Sequence, residues 1–187
     1  MIDENSKLIA NYLKDAFVGT PSVQRYYAAD NIRFVDIIKT PHKDNVTYIG
    51  TIGGFRRKMK GQPKLQSEIR VEIVTAVQES YTEIISQTLG FLILSLDTDK
   101  KFYRPGTIVE DAIPANPLTT MRHVYLCDPF LWDNGLPSLK INNIPIAFLY
   151  VLPITDREKE LYEKLGTVAF EEHLQQQDVR YFDLQRL

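Results

Sequence analysis

Glu68-Ile69-Arg70-Val71-Glu72-Ile73-Val74 alternates polar and apolar side chains with a period of two, the pattern of a β-strand. Ile69, Val71 and Ile73 share one face, and Glu68, Arg70 and Glu72 share the other, which reads as a solvated one. Downstream, Tyr81, Ile84, Ile85, Thr88, Leu89, Leu92 and Leu96 return every three or four residues with few polar interruptions after Gln87. That spacing predicts a helix, the most buried of the chain. A strand followed by a buried helix is therefore the centre of the molecule.

Towards the N-terminus, Leu8, Ile9, Tyr12, Leu13, Ala16 and Phe17 mark one face of an amphipathic helix from Asn5 to Val18. Asn5 or Ser6 is the expected N-cap, and Gly19 lies just past the end. Turn signals at Thr20-Pro21, Ala29-Asp30-Asn31, Thr40-Pro41 and Gly53-Gly54 then separate β-rich runs at Val23 to Tyr27, Ile32 to Lys39 and Val46 to Ile52. A β-meander is the simplest account.

Towards the C-terminus, Arg104 to Thr120 carries three prolines and Gly106 and reads as a long irregular crossing loop, of the kind that often binds something. Val124 to Leu126 and Ile146 to Leu152 read as strands, the second an unbroken apolar run suited to the centre of a sheet. Leu139-Lys140-Ile141 pairs beside it through an Asn142-Asn143 turn. Thr155 with Glu158 forms a capping box, with Leu161, Tyr162 and Leu165 on the face of the helix it starts. Gly166 ends that helix, a second begins at Thr167 and Val168, and Val179 to Leu184 closes the chain as a short strand or extended tail.

Length and composition narrow the classes. The 187 residues, 44% hydrophobic and 25% charged, suit one globular domain over 1–187, or two small ones at most, and exclude disorder, collagen and coiled coil. The net charge of -2 provides no global field towards nucleic acid or anionic lipid. It is unevenly spread, however: Met1 to Lys60 holds 10 basic and 6 acidic residues, whereas Gly61 to Leu187 holds 12 and 18. The acidic second half is where a basic partner would leave its footprint. Apolar stretches are far shorter than the roughly 18 residues of a membrane span, the acidic start Met1-Ile2-Asp3-Glu4-Asn5 is unlike a signal peptide, and the one cysteine, Cys127, forbids an internal disulfide. A cytoplasmic protein without membrane contact is expected.

Few residues offer chemistry. His42, His123 and His173 are scattered, so no metal site is expected. His123 and Cys127 lie about 13 Å apart if both sit on one extended strand, too far for a nucleophile and its base, and read as a half-buried histidine and a buried thiol. Glu68 with Glu72, or Glu171 with Glu172, has nothing converging on it, and Gly50-Thr51-Ile52-Gly53-Gly54 lacks the ending of a phosphate loop. Arg56-Arg57-Lys58-Met59-Lys60 reads as a solvated basic loop without the aromatics of a nucleic-acid site. No catalytic residue and no cofactor is expected.

Asp128-Pro129-Phe130-Leu131-Trp132 differs in kind. Pro129 bars strand pairing and pushes Asp128 into extended geometry. Phe130 and Leu131 suit core packing, while Trp132, the only tryptophan, beside Asp133 and Asn134, either plugs the core or anchors a partner.

The ordered series of segments resembles the suppressor-of-fused domain family, particularly its small bacterial members. The segments are Ser67 to Val74, Arg104-Pro105-Gly106-Thr107 with Ile113-Pro114, His123 to Trp132, Leu152-Pro153-Ile154-Thr155 with Glu158, and Phe182-Asp183-Leu184-Gln185-Arg186. The resemblance implies an α+β fold: a curved mixed sheet, mostly antiparallel, flanked by helices, with no catalysis. Bacterial members resemble antitoxins or immunity proteins encoded beside secreted polymorphic toxins, often nucleases, whereas animal members hold a transcription factor by an extended peptide. The chain lacks the extra C-terminal domain of the animal proteins and ends at Leu187, where small relatives commonly continue.

The expected function is thus a non-catalytic immunity protein that binds a cognate toxin, a nuclease, and occludes its active site. The alternative is a regulatory module holding a partner peptide or transcription factor along a sheet edge. Carboxylates and an aromatic anchor are the groups that would meet a basic nuclease cleft, so the candidate partner-binding residues are Glu110, Asp111, Asn116, Asp128, Trp132 and Asp133. Alanine at Asp111 and Trp132 is expected to weaken binding with the melting temperature nearly unchanged. Oligomeric state is left open, with edges near Val23 to Tyr27 or Val179 to Phe182 available for pairing.

Overall fold

The computed structural model describes residues 3–59, 61, 63, 67–96, 101–132, 135–176 and 180–186. Eight strands form one sheet: β1 (Ser22–Tyr27), β2 (Phe34–Pro41), β3 (Val46–Ile52), β4 (Arg70–Gln78), β5 (Thr107–Val109), β6 (His123–Cys127), β7 (Leu139–Ile141) and β8 (Ile144–Ile154). Their order is β1-β2-β3-β4-β8-β6-β5, with β7 paired to β8. Among the described strands only β4 and β8 run parallel; every other pairing is antiparallel, and β1 to β3 form the expected meander, which β4 extends.

Three helices cover the sheet: α1 (Glu4–Phe17), α2 (Thr82–Ser95) and α3 (Asp156–Gln176). Ile85, Leu89, Leu92 and Ile93 of α2 pack with Ile37, Ile49, Val71, Ile73, Leu149 and Val151 on one face. Ile9, Leu13 and Phe17 of α1 and Phe170 and Leu174 of α3 pack with Ile38, Val74, Tyr125, Tyr150 and Leu152 on the other. The unbroken apolar run of β8 follows from this layering, since alternate residues enter opposite cores.

Local signals set the element ends. Thr155 Oγ1 accepts from the Glu158 amide at 3.1 Å and Glu158 Oε2 accepts from the Thr155 amide at 2.7 Å, a complete capping box. Asn142 and Asn143, at φ 50° and 63°, make the tight turn joining β7 to β8. Gly166, at φ 74° and ψ 176°, leaves helical geometry and divides α3 into the two helical stretches expected.

Four expectations are corrected. The cap of α1 is Asp3, whose carboxylate accepts from the Ser6 amide and hydroxyl at 2.9 Å each, and the helix closes on Val18 at φ 47° before Gly19 is reached. Arg56-Arg57-Lys58-Met59 is no solvated loop: Arg56 reaches Asp3 and Ser6, Arg57 is buried and donates to the Phe34 carbonyl at 2.9 Å, and Met59 is buried. Long-range carboxylate and carbonyl partners draw the cations in. Glu72, assigned to a solvated face, is fully buried. The turn Gly53-Gly54-Phe55 folds over it, and the carboxylate accepts from all three of those amides (2.9, 3.1 and 3.0 Å) and from Thr51 Oγ1 (2.5 Å). Finally, the described part of the tail, 180–186, forms turns and no strand: Phe182 accepts from the Gln78 amide, Leu184 is buried, and Arg186 donates to the Pro153 carbonyl and to Glu158. Val179 lies outside the described residues.

Candidate functional site

Strand β6 organises the described candidate residues, because they gather at its two ends, about 13 Å apart by strand geometry. At its start, His123 is buried rather than half-buried, at 3% exposure. Its Nδ1 accepts from the Asp111 amide at 2.9 Å, so the proton sits on Nε2, which donates to Asp156 Oδ1 at 2.8 Å. Asp111, at φ 48°, pairs through its carboxylate with Arg122 at 2.6 Å, and Glu110 pairs with Lys159 at 2.7 Å. The bond from His123, with the Arg122 charge nearby, holds the Asp156 carboxyl below the usual range. These carboxylates are exposed, yet each already has a cation. Asn116 serves its own loop, accepting from the Leu118 amide at 2.8 Å through Oδ1.

At the far end, Pro129 terminates pairing and Asp128 stands exposed. Phe130, expected in the core, is 47% exposed, with its ring 4.8 Å from that of Tyr150 and 5.1 Å from that of Tyr181. Trp132 turns inward instead, its ring 5.5 Å from Phe17 and 5.7 Å from Tyr48. It ties α1 to the sheet, so alanine there removes packing and cannot serve as a stability-neutral probe. Asp133 lies outside the described residues.

Between this segment and the second half of α3 lies a cavity of about 200 Å³, floored by Tyr125, Cys127 and Leu152 and walled by Asp128, Phe130, Glu171 and Tyr181. Glu171 was set aside in the sequence because nothing near it converges; the fold places it here, accepting from Tyr125 Oη at 2.6 Å. Burial and then the Glu171 carboxylate push the Tyr125 phenol above its ordinary range. Among the described residues no cation pairs with Asp128 or Glu171. Nor do three or more His, Cys, Asp or Glu side chains gather as a metal would require.

Cys127 is 7% exposed, and burial, assisted by Glu171 and Asp128, pushes its thiol up to about 12. At pH 8 only about one molecule in ten thousand then carries the thiolate. Labelling of the native protein by Ellman's reagent at pH 8 is expected to proceed no faster than unfolding, and to complete at once in urea. Rapid native labelling would contradict this burial.

Among the described residues no helix is long and apolar enough to cross a membrane. Immunity protein YqcF of Bacillus subtilis (strain 168) is 27% identical over 192 residues, which span 99% of this chain and 97% of that protein. A suppressor-of-fused homologue from Neisseria gonorrhoeae FA 1090 has the same fold, with a TM-score of 0.70 at 15% identity over 98% of this chain and 96% of its own. Drosophila Suppressor of Fused gives 0.66 at 10% identity, covering 97% of this chain and 50% of that one. The sequence profile of the Suppressor of fused protein (SUFU) family matches residues 29–187, from the turn after β1 through β2 to β8, α2 and α3 to the tail that Arg186 pins to Pro153 and Glu158. With β2 to β8, α2, α3 and the tail falling inside that match, the chain belongs to the suppressor of fused protein family.

Proposed function

We propose that this chain is a non-catalytic immunity protein that binds a cognate polymorphic toxin, a nuclease, in the cytoplasm and neutralises it by occluding its active site. The observation that carries this reading is the end-to-end match to Immunity protein YqcF, which leaves little of either chain unaligned. The charge agrees with it: the acidic second half of the chain suits a partner whose cleft is basic for phosphate. Occlusion requires only a complementary surface. The candidate residues contribute to it in two patches, Glu110, Asp111 and Asn116 in one and Asp128 in the other, the second supported from within by Trp132; Asp133 is assigned to it from the sequence alone.

The test is a pull-down from the native cell with tagged protein at moderate salt. It is expected to recover one stoichiometric toxin domain that is silent in the complex and active once released. A toxin that stays active in the complex would overturn the reading. Recovery of a transcription factor instead would favour a peptide-holding module, for which the outer edge of β1, paired on one side only, is available.

A further inference from the structure

We propose that the cavity between Asp128 and Glu171 is a specificity pocket that receives one arginine side chain of the bound protein partner; this deepens the immunity reading above, on which the partner's identity as a toxin rests. At about 200 Å³ the cavity holds a single side chain. Two carboxylates from different elements face it, Asp128 from the end of β6 and Glu171 from α3, and neither has a cation among the described residues. The two carboxylates of the other candidate patch, Glu110 and Asp111, are by contrast already paired with Lys159 and Arg122. The pocket is thus a place where positive charge is missing.

The walls choose between the two basic side chains. Phe130 and Tyr181, with ring centroids 5.1 Å apart and an angle of 64° between their planes, present aromatic surface at the mouth. A planar guanidinium stacks on such a ring while its forked donors reach two acceptors at once; a compact, strongly hydrated ammonium gains less from both. Glu171 is preset for this by the hydroxyl of Tyr125, which fixes one carboxylate oxygen and leaves the other to accept. The thiol of Cys127 on the floor, pushed up partly by these two carboxylates, reports the same negative field. Phe130, half-exposed now, would be covered by the entering chain, as expected for an interface anchor.

The probe is Nα-acetyl-L-arginine amide, titrated into the isotopically labelled full chain and followed by amide and aromatic NMR shifts. Saturable shifts confined to Asp128, Phe130, Glu171 and their neighbours are expected, with affinity in the millimolar range of a single side chain. The uncharged citrulline analogue should give none, and the lysine analogue should bind more weakly. Asp128→Asn is expected to weaken binding up to about fivefold, and the double variant with Glu171→Gln by about tenfold or more. Asp128 makes no hydrogen bond among the described residues, so that variant carries the test even if the Glu171 change disturbs folding. Equal shifts with citrulline, tighter binding of the lysine analogue, or no shifts at all would overturn the proposal. Since no toxin is needed, a silent titration with neutralisation intact removes the pocket alone, and a failed neutralisation leaves the titration standing.

Discussion

Replacing Glu72 with alanine is expected to cost about 3–5 kcal/mol of folding stability, seen as a lower urea midpoint. The side chain is fully buried on β4 and is the shared acceptor for four donors, the amides of Gly53, Gly54 and Phe55 and the hydroxyl of Thr51. Removing it strands those donors away from water, at about 1–3 kcal/mol for each one left unmade, less whatever local relaxation recovers. Thr51 Oγ1 also accepts from the Ile73 amide at 3.0 Å, so the damage spreads into the β3–β4 pairing. The pH dependence has a definite sign. Burial, opposed by the four donors, raises the Glu72 carboxyl above its ordinary 4.5. Folding therefore favours the protonated form, and that contribution is full below pH 4.5 and lost as pH rises through the folded value. Glu72→Gln cannot ionise, so its stability deficit should narrow as pH rises from 4.5 through the raised folded value. An unchanged urea midpoint for Glu72→Ala, or a deficit that widens with pH, would refute this account of the turn.

Gly54→Ala is expected to be comparably severe, for a steric reason. A Cβ at Gly54 would lie 1.9 Å from the Val71 carbonyl oxygen, with Glu72 Oε2 and Ile93 Cδ1 each 3.1 Å away. Backbone cannot retreat as a side-chain tip can, so the whole turn must lift off β4 and give up its bonds to Glu72. A loss of about 3 kcal/mol or more, or failure to accumulate as soluble protein, is the expected result. Gly90 supplies the contrast. It lies inside α2, where an added Cβ meets nothing nearer than Tyr26 Cβ at 3.5 Å. Gly90→Ala should therefore raise the melting temperature, through about 0.5–1 kcal/mol of helix propensity. Similar stability of the two variants would show that the Val71 contact is not what fixes Gly54.

What could be read from the sequence was what is decided locally. The capping box of Thr155 and Glu158, the Asn142-Asn143 turn, the meander and the unbroken apolar run of β8 all depend on residues a few positions apart. Glu72 was misjudged because period-two alternation gives a strand two faces without saying what covers them, and its cover, Gly53 to Phe55, comes from another connection. Arg56 and Arg57 were misjudged for the same reason, since their partners on α1 and β2 are distant in the chain. The site divides likewise. Asp128-Pro129-Phe130 stood out because proline ends a strand and an apolar run follows it, but Glu171 and Tyr181 join it only through the packing of α3 and the tail. Trp132, left between core and interface, is pulled inward by Phe17 and Tyr48, which no local pattern foretells.

Inhibition by occlusion is stoichiometric, whereas inactivation by an enzyme turns over, and this separates the central claim from its rivals. The decisive measurement is the residual activity of the recovered toxin as purified chain is titrated into it at fixed toxin concentration. Activity should fall linearly to zero at one equivalent, and both proteins should be recovered with unchanged masses. Inhibition completed well below one equivalent, a covalent change in the toxin, or undiminished activity beyond equivalence would contradict it.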